Sequence, residues 1–237
     1  DALRLAASAQ IRNAATIGGN LLQRTRCAYF RDKHANCNRH TPGSGCAAIH
    51  GDSRGLAILG TSSHCIANYA GDLAVALVAL GASLTVVAPD GKARVMQVED
   101  LHRLPGDRPD IETNLKDGEL ITHIHVPRRE WDASLYHKVR DRASYAFALT
   151  SAAVAVRFRN RRVDEIRLAL GGLAAKPWRC HAAEAYLQGQ PLTIATATEA
   201  AELCFEGAQT DEHRAFKLEL GKRTVIRALL DVTESQL

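Results

Sequence analysis

Four of the six cysteines lie within one stretch of thirty-nine residues, and this stretch constrains the fold more than any other part of the sequence. Cys27, Cys37, Cys46 and Cys65 are separated by nine, eight and eighteen residues. The segment that contains them is rich in Gly, His and Asn and shows no helical or strand periodicity. Such a segment is uncommon inside a compact domain unless something other than an apolar core holds it together. Four thiolates around a metal would do so.

The spacing of these cysteines leaves three alternatives open. Four thiolates can close around a 4Fe-4S cluster or around a tetrahedral zinc ion. Zinc ribbons usually bring their cysteines in close pairs, whereas wide spacing lets a loop wrap a larger group, so the spacing favours the cluster. Disulfides or unligated buried cysteines are the third alternative. The same segment holds possible substitute ligands that are more typical of a solvated surface: His34, His40, His50 and His64.

Composition excludes several classes of protein. With 237 residues, 46% of them hydrophobic, the chain can bury a sizeable core in one large or two modest domains. The net charge of +4 comes from Lys and Arg residues scattered among 26 acids, and an aromatic content of 5% offers few platforms for stacking bases. We therefore predict no nucleic acid partner. The longest apolar stretch, Leu73 to Leu80, is far too short for a membrane span. Six cysteines are also too few for a disulfide scaffold in a chain of this size.

The chain begins at Asp1 and lacks the charged-then-apolar layout of a secretion signal. Its first residues have the pattern of the inside of a helix. We therefore expect this sequence to be a piece of a longer protein.

The N-terminal segment predicts a short helix over residues 2–9 and then an extended stretch, Gln10–Leu21, that leads into a glycine turn. Two adjacent glycines, Gly18 and Gly19, let a backbone approach a ligand closely. Thr16 and Asn20 flank them with a hydroxyl and an amide. This equipment can hold a phosphate or a hydroxylated cofactor, although a bare pair of glycines is more often a tight turn.

The middle of the chain predicts a buried helix over residues 70–80, with Asp72 at its start, where a carboxylate commonly caps free N–H groups. A hairpin follows, formed by residues 82–88 and 93–98. Residues 119–126 alternate with period two and predict a strand whose solvent face carries His123 and His125.

The C-terminal part has a different pattern, an antiparallel sheet followed by helices, which makes the fold class α+β. Residues 127–130 form a plausible linker. Within the second strand, residues 148–156 could instead be helical because of their alanines. We predict strands at residues 135–142, 146–159 and 162–173 and helices at 179–188, 193–207 and 214–231. Cys180 and Cys204 fall in these helices as separate, buried and inert thiols.

Three landmarks together resemble the FAD-binding subunits of the xanthine dehydrogenase and carbon monoxide dehydrogenase group of molybdenum hydroxylases. Gln10–Leu21 is similar to the flavin-contacting turn of that family. Asp72-Leu73 with its apolar helix is similar to a second flavin motif, normally Ser-Asp-Leu, with Gly71 here in place of the serine. Residues 136–140 and 148–152 resemble the start of the family's C-terminal domain. The resemblance covers the whole chain.

The cysteine stretch separates the first two landmarks, which run almost directly into each other in most members of the family. A similar insertion with a 4Fe-4S cluster is found in flavin subunits of periplasmic-type aldehyde oxidoreductases and of 4-hydroxybenzoyl-CoA reductase, and the segments 27–30, 42–46 and 63–65 look closest to the aldehyde oxidoreductases. The resemblance implies part of a two-lobed FAD-binding domain over residues 1–127, with a 4Fe-4S loop at 24–66, and a C-terminal domain over 128–237. It also implies that the N-terminal FAD lobe of the family is missing here.

The resemblance also implies a set of cofactor contacts. Leu22 would pack near the flavin ring, Asp72 would accept hydrogen bonds from the cofactor, and Ile121 would offer its backbone. Lys138 would lie near the pyrimidine edge of the isoalloxazine, where a cation stabilises reduced flavin, with His137 as an alternative one residue away. The contacts to the FAD phosphates and ribityl chain would be Thr16, Gly18, Gly19 and Asn20, and the cluster ligands would be Cys27, Cys37, Cys46 and Cys65.

The function implied is that of the FAD and 4Fe-4S electron-transfer subunit of a molybdenum-containing aldehyde oxidoreductase from a bacterium. A large partner would carry the molybdenum cofactor and a small partner the 2Fe-2S clusters, so this chain needs no catalytic acid, base or nucleophile of its own. The complex would be periplasmic, exported with a partner, or cytoplasmic. The alternatives are a zinc-stabilised binding module and a scaffold subunit whose cluster carries no redox traffic.

Overall fold

The computed structural model describes residues 1–234, and in this range the chain forms eight α-helices and two antiparallel sheets. The helices are α1 (Ala2–Leu5), α2 (Ala9–Ala14), α3 (Ile17–Leu21), α4 (Ala28–Arg31), α5 (Leu73–Ala79), α6 (His181–Leu187), α7 (Ile194–Cys204) and α8 (Ala215–Glu234). The strands are β1 (Ser83–Val87), β2 (Ala93–Gln97), β3 (Leu120–His125), β4 (Ala133–Val139), β5 (Thr150–Arg159), β6 (Arg162–Gly171) and β7 (Trp178–Arg179). The last three residues of the predicted C-terminal domain, 235–237, lie outside the described range.

The smaller sheet has the strand order β2-β1-β3. Its hairpin of β1 and β2 pairs Ser83 with Gln97 and Val87 with Ala93, which confirms the predicted hairpin. β3 confirms the predicted strand, and both His123 and His125 are exposed, as expected.

The larger sheet has the order β4-β5-β6-β7; helices α6 and α8 pack on it, and α7 packs against both of them. Residues 150–159 are a strand, so the helical alternative for the alanine-rich segment is wrong. The reason is tertiary: nearly every side chain of β5 up to Val156 is buried, and small or β-branched residues suit a strand covered on both faces. The three predicted C-terminal helices are confirmed.

Two apolar cores lie on either side of this sheet. One joins β5 and β6 to α6, α7 and α8 and includes Leu168 and Leu229. The other surrounds α5 and includes Val75, Leu84 and Ala153, which links the two sheets. Cys180 and Cys204 are buried in the first core, as predicted, but they are neighbours rather than separate thiols: burial and the nearby Cys204 raise the pKa of Cys180 well above its usual range.

The N-terminal prediction was wrong in its local structure. The predicted helix at 2–9 ends at Leu5, because Ala7 adopts a positive φ of 46°. The segment 10–21, predicted to be extended, is mostly helical. Two side chains cap its helices: Ser8 Oγ accepts from the Ile11 N–H at 3.3 Å, and Thr16 Oγ1 accepts from the Gly19 N–H at 3.1 Å. These caps satisfy free N–H groups and outweigh the low helix propensity of the glycines.

The cysteine stretch is irregular, as predicted. Among its described residues, the single turn of α4 is the only α-helix. A turn at residues 41–45 folds it back on itself. Asn38 holds this turn: its Oδ1 accepts from the N–H groups of Gly43 at 3.0 Å and Gly45 at 2.9 Å, and its Nδ2 donates to the carbonyl of His64 at 3.0 Å. Gly43 and Gly45 have φ of 88° and 93°, which favours glycine at both positions.

The far end of the stretch is attached to the C-terminal half of the chain. Ser53 Oγ donates to Asp211 at 3.0 Å, and the N–H of Ile58 donates to the carbonyl of Leu173 at 2.8 Å. Ile58 and Leu59 belong to the core on β5 and β6. The stretch is therefore held by both halves of the chain.

Among the described residues, no helix combines the length and apolar character that a membrane span needs.

Lys217 on α8 makes the most buried of these attachments. Its Nζ donates to the carbonyls of Leu56 at 2.8 Å and Gly172 at 2.7 Å. Burial, and then the charges of Arg214 and Arg54, lower the pKa of Lys217 to about 7 from its usual value of 10.5.

A pH dependence follows from this lowered pKa. Between the two values the unfolded chain binds more protons than the folded chain, so the contribution of Lys217 to the free energy of unfolding rises with pH, by up to about 1.4 kcal/mol per pH unit. The variant Lys217→Met should lack this rise. Urea unfolding of parent and variant at two pH values between about 7 and 10 measures it, and parallel pH profiles for the two proteins would contradict the prediction.

Candidate functional site

A cavity of about 590 Å³, here called the larger cavity, lies beside the N-terminal helices, the start of α5 and residues 145–147. Its volume falls within the range of small-molecule and cofactor sites. Four of the predicted flavin contacts line it, namely Thr16, Gly19, Asn20 and Asp72. The structure thus brings together side chains from two segments that the cysteine stretch separates in sequence.

The start of α3 gives one wall of this cavity an open, polar backbone. A Cβ at Gly19 would lie 2.9 Å from Thr16 Oγ1, so glycine at this position permits the Thr16 cap. A Cβ at Gly18 would meet no atom of the described chain within 4 Å. Among the described residues, the buried Oδ1 of Asn20 has no hydrogen-bond partner. An unpaired buried acceptor is costly, and it fits a site that receives a donor from a bound molecule.

Asp72 links the larger cavity to the larger sheet. Its Oδ1 accepts from the hydroxyl of Tyr136 at 2.7 Å, and its Oδ2 accepts from Nζ of Lys138 at 2.8 Å. Tyr136 and Lys138 are two residues apart on β4 and so lie on the same face of the strand. The hydroxyl of Ser151 lies 2.9 Å from that of Tyr136. The sequence position of Asp72 predicts that it caps α5. Its carboxylate instead binds the side chains of Tyr136 and Lys138 on β4.

Burial sets the electrostatics of this group. It raises the pKa of Asp72, and the hydrogen bonds and charge of Lys138, together with Tyr136 and Arg140, act in the opposite direction. Burial, and then the nearby charge of Asp72, raise the pKa of Tyr136 well above 10.0, so Tyr136 stays a hydroxyl donor. The side chain of Lys138 is 1% exposed, and its Nζ also donates to the carbonyl of Leu5 at 3.1 Å. Lys138 does not line the larger cavity itself; it contacts Asp72, which does.

Lys138 and His137, the two alternatives predicted for the contact with the isoalloxazine, lie on opposite faces of β4. Since neighbouring residues of a strand point to opposite faces, His137 lies on the side of α8, with its Nδ1 3.9 Å from Asp231. Leu22 and Ile121 are placed elsewhere. Leu22 lines a second, smaller cavity of about 250 Å³, and Ile121 packs against the core around α5. Their contact with flavin stays a prediction.

The four predicted ligands Cys27, Cys37, Cys46 and Cys65 come together in one small apolar cluster with Phe30, Ala48, Leu56 and Ile66. Residues 37 and 46 also face each other in an isolated antiparallel bridge. The stretch therefore has a small apolar core of its own, and the cysteines form much of it. In the described chain, no three His, Cys, Asp or Glu side chains lie close enough to hold a single metal ion. The four histidines of the stretch are exposed.

Among the sulfurs of this cluster, that of Cys65 accepts from the N–H of Ala67 at 3.4 Å. Burial raises the pKa of Cys27 and Cys46 and the nearby Cys65 raises it further, whereas the backbone at Phe30 and Tyr29, and at Ala48, Ile66 and Ile49, acts in the opposite direction. A bound cation would offset the cost of burial by holding the cysteines as thiolates. Four soft ligands in one small cluster fit an iron-sulfur cluster.

Two residues close to Cys27 in sequence line the larger cavity. They are Arg26, which directly precedes Cys27, and Arg31, four residues after it. Arg26 also lies over the ring of Phe147, 5.3 Å from its centroid, and Phe147 and Tyr145 expose about half of their surfaces at the cavity wall.

Sequence reasoning missed several of these contributors. Phe147 and Tyr145 stand out only as two of few aromatic residues in the chain. Tyr136 could have been inferred from its spacing to Lys138 on a predicted strand. Gly71 also finds its explanation here, because a Cβ at that position would lie 2.4 Å from the hydroxyl of Tyr69. The bulk of Tyr69 excludes the serine that the flavin motif normally has.

Comparison with known proteins assigns both halves of the chain. Residues 1–129 match the family described as FAD binding domain in molybdopterin dehydrogenase, and residues 134–232 match the CO dehydrogenase flavoprotein C-terminal domain. The aldehyde oxidoreductase FAD-binding subunit PaoB of Escherichia coli is 45% identical over 231 residues, which cover 97% of this chain and 69% of that protein. The glyceraldehyde dehydrogenase medium chain of Sulfolobus acidocaldarius is 32% identical over 136 residues, 56% of this chain and 46% of that protein.

Solved structures share the fold. CO dehydrogenase from Oligotropha carboxidovorans matches with a TM-score of 0.70 at 19% identity, covering 98% of this chain and 65% of that one. Quinoline 2-oxidoreductase from Pseudomonas putida matches with a TM-score of 0.68 at 21% identity, covering 99% of this chain and 66% of that one. The chain spans about two thirds of the length of these structures. The predicted mixed fold, an FAD-binding part followed by a C-terminal domain of helices on an antiparallel sheet, is confirmed.

Proposed function

Because the chain belongs to the FAD-binding family of the molybdopterin dehydrogenases, we propose that it is the FAD and 4Fe-4S electron-transfer subunit of a molybdenum-containing aldehyde oxidoreductase. In this function it passes electrons from substrate oxidation on a large molybdenum-cofactor subunit, by way of a small 2Fe-2S subunit, to an external acceptor. The likeness to the FAD-binding subunit PaoB supports the choice of aldehydes as the substrate class.

One observation carries this proposal: Arg26 and Arg31, which line the cavity that holds the predicted flavin contacts, are sequence neighbours of Cys27 in the four-cysteine cluster. Electron transfer between two centres needs them close together and shielded from solvent, and a flavin supplies the link between one-electron carriers and two-electron chemistry. The protein's own contribution is to bind, orient and shield the two groups.

Within the flavin site, the residues described here have distinct roles. The N–H groups at the start of α3 and the free Oδ1 of Asn20 would hold the polar part of FAD. Asp72 would accept a hydrogen bond from the cofactor while Tyr136 and Lys138 keep its carboxylate in place. Phe147 would cover apolar surface of the bound cofactor.

The two glycines of α3 test the flavin contact. Gly18→Ala should not lower thermal stability, because its new methyl group meets no atom of the described chain and alanine favours the helix, but it should weaken FAD binding by roughly tenfold or more if the cofactor occupies that space. Flavin retention after gel filtration and titration of the stripped protein with FAD measure this.

Gly19→Ala is the matched variant. Its methyl group displaces the Thr16 hydroxyl, so it should lower both FAD affinity and stability, the latter by about 1 kcal/mol for the lost cap. Unchanged FAD affinity in Gly18→Ala would remove Gly18 from the site.

The scaffold alternative is tested in the assembled oxidoreductase. Under anaerobic conditions an aldehyde substrate should bleach the flavin absorbance, and addition of an acceptor should restore it. A scaffold chain predicts turnover at the molybdenum subunit with unchanged flavin and cluster spectra. The zinc alternative predicts about one zinc per chain and no acid-labile sulfide.

A further inference from the structure

Arg39 connects the cysteine cluster to a carboxylate outside it. Its guanidinium is 5% exposed. Nε of Arg39 donates to Sγ of Cys65 at 3.3 Å, and Nη1 forms an ion pair with Oε2 of Glu112 at 2.7 Å. Glu112 also accepts from Nε of Arg24 at 2.6 Å. The guanidinium is therefore held from both ends, with one N–H fixed on the sulfur.

Cys65 receives a different set of donors from the other cysteines of the cluster. Its sulfur accepts one backbone N–H, from Ala67 at 3.4 Å, and the charged N–H of Arg39. Among the described residues, no charged side chain donates to the sulfur of Cys27, Cys37 or Cys46. A charged donor is about twice as strong as a neutral one, and burial strengthens its electrostatic effect.

The charge of Arg39 has a defined effect on a redox group. Reduction adds one negative charge to a cluster, and a nearby cation and hydrogen bonds to sulfur stabilise the reduced form, which raises the reduction potential. A nearby carboxylate has the opposite effect. The guanidinium of Arg39 lies between Glu112 and the sulfur of Cys65. Glu112 therefore fixes Arg39 and partly offsets its charge.

We propose that Arg39 and Glu112 form a positioning pair that sets the reduction potential of the cluster, Arg39 raising it through Cys65 and Glu112 lowering it. This inference rests on the proposed function, because it needs a cluster on the four cysteines. To the proposed function it adds a charge pair that adjusts the reduction potential, and one member of the pair, Glu112, lies outside the cysteine stretch.

The test is an EPR-monitored redox titration of the cluster in the assembled protein. Arg39→Gln should lower the reduced-to-oxidised ratio at a fixed ambient potential by roughly tenfold, equivalent to about 59 mV for one electron. Glu112→Gln should raise that ratio. Arg39→Lys should fall between the parent and Arg39→Gln, because it keeps the charge but loses the fixed N–H. Lys33→Gln removes an exposed cation from the same stretch and should leave the ratio unchanged.

The outcomes separate this inference from the proposed function. Equal potentials in Arg39→Gln and Lys33→Gln, or a lower potential in Glu112→Gln, would overturn the inference. If Arg39→Gln assembles no cluster, the increase expected for Glu112→Gln decides alone. A parent protein without any cluster would overturn the proposed function itself, and the inference with it.

Discussion

Replacement of Cys65 by serine should reduce the iron and acid-labile sulfide of the chain from about four of each to near zero, the content of one lost 4Fe-4S cluster. Cys65 is the buried cysteine whose charge affects both Cys27 and Cys46. A serine hydroxyl is a hard, weakly acidic ligand and is a far poorer ligand than thiolate for the iron of a cluster. Iron and sulfide assays after anaerobic purification measure the loss.

The same variant should also loosen the cysteine stretch. Residues 24–66 have a small apolar cluster built largely around their cysteines, so loss of the bound group removes much of what orders them. Limited proteolysis should cut within this range faster than in the parent. Cys180→Ser is the matched control, since Cys180 lies in the other core and its loss should leave iron unchanged. Full iron and sulfide in Cys65→Ser would contradict the assignment.

Loss of the ammonium at position 138 should destabilise the fold strongly. In Lys138→Met the Asp72 carboxylate remains buried without its ion-pair partner, at a cost of about 3–5 kcal/mol in the free energy of unfolding. Lys92→Met is the matched control, because Lys92 pairs with Asp90 at the surface, where solvent screens the pair and its loss should change stability little. Urea unfolding of both variants measures the difference.

The destabilisation in Lys138→Met should depend on pH in a defined direction. Burial already raises the pKa of Asp72, and loss of Lys138 removes the main influence that lowers it. A carboxyl whose folded pKa lies above its unfolded value favours folding at low pH and loses that contribution as pH rises through the folded pKa. The gap between parent and variant should therefore narrow as pH falls from neutral. A gap that widens toward acid would show that Asp72 is not the group left unpaired.

Sequence reasoning identified the clustered cysteines and the motifs but not the contacts between distant segments. The cysteines, the Asp72 helix and the strands were readable because thiol spacing and hydrophobic periodicity are local signals. The helix over the two glycines was not, because its Thr16 cap and the packing around Leu21 outweigh propensity. The contact of Arg39 with Cys65 spans 26 residues of irregular chain, for which no periodicity exists.

The site shows the same division. The roles of Tyr136 and Ser151 depend on the register of β4 with β5, in which Tyr136 pairs with Ala153 and Lys138 with Ser151. Strand register is a tertiary property that a single strand pattern does not define. Lys217 gave no signal at all, since a lysine in an amphipathic helix is normally exposed.

Mössbauer spectroscopy of iron-labelled protein, purified without oxygen and quantified for iron and sulfide, decides whether the four cysteines hold one iron-sulfur cluster. We expect about four iron and about four sulfide per chain, with all iron in one cubane-type spectrum. Zinc without sulfide, or iron in a spectrum of isolated mononuclear sites, would contradict this expectation.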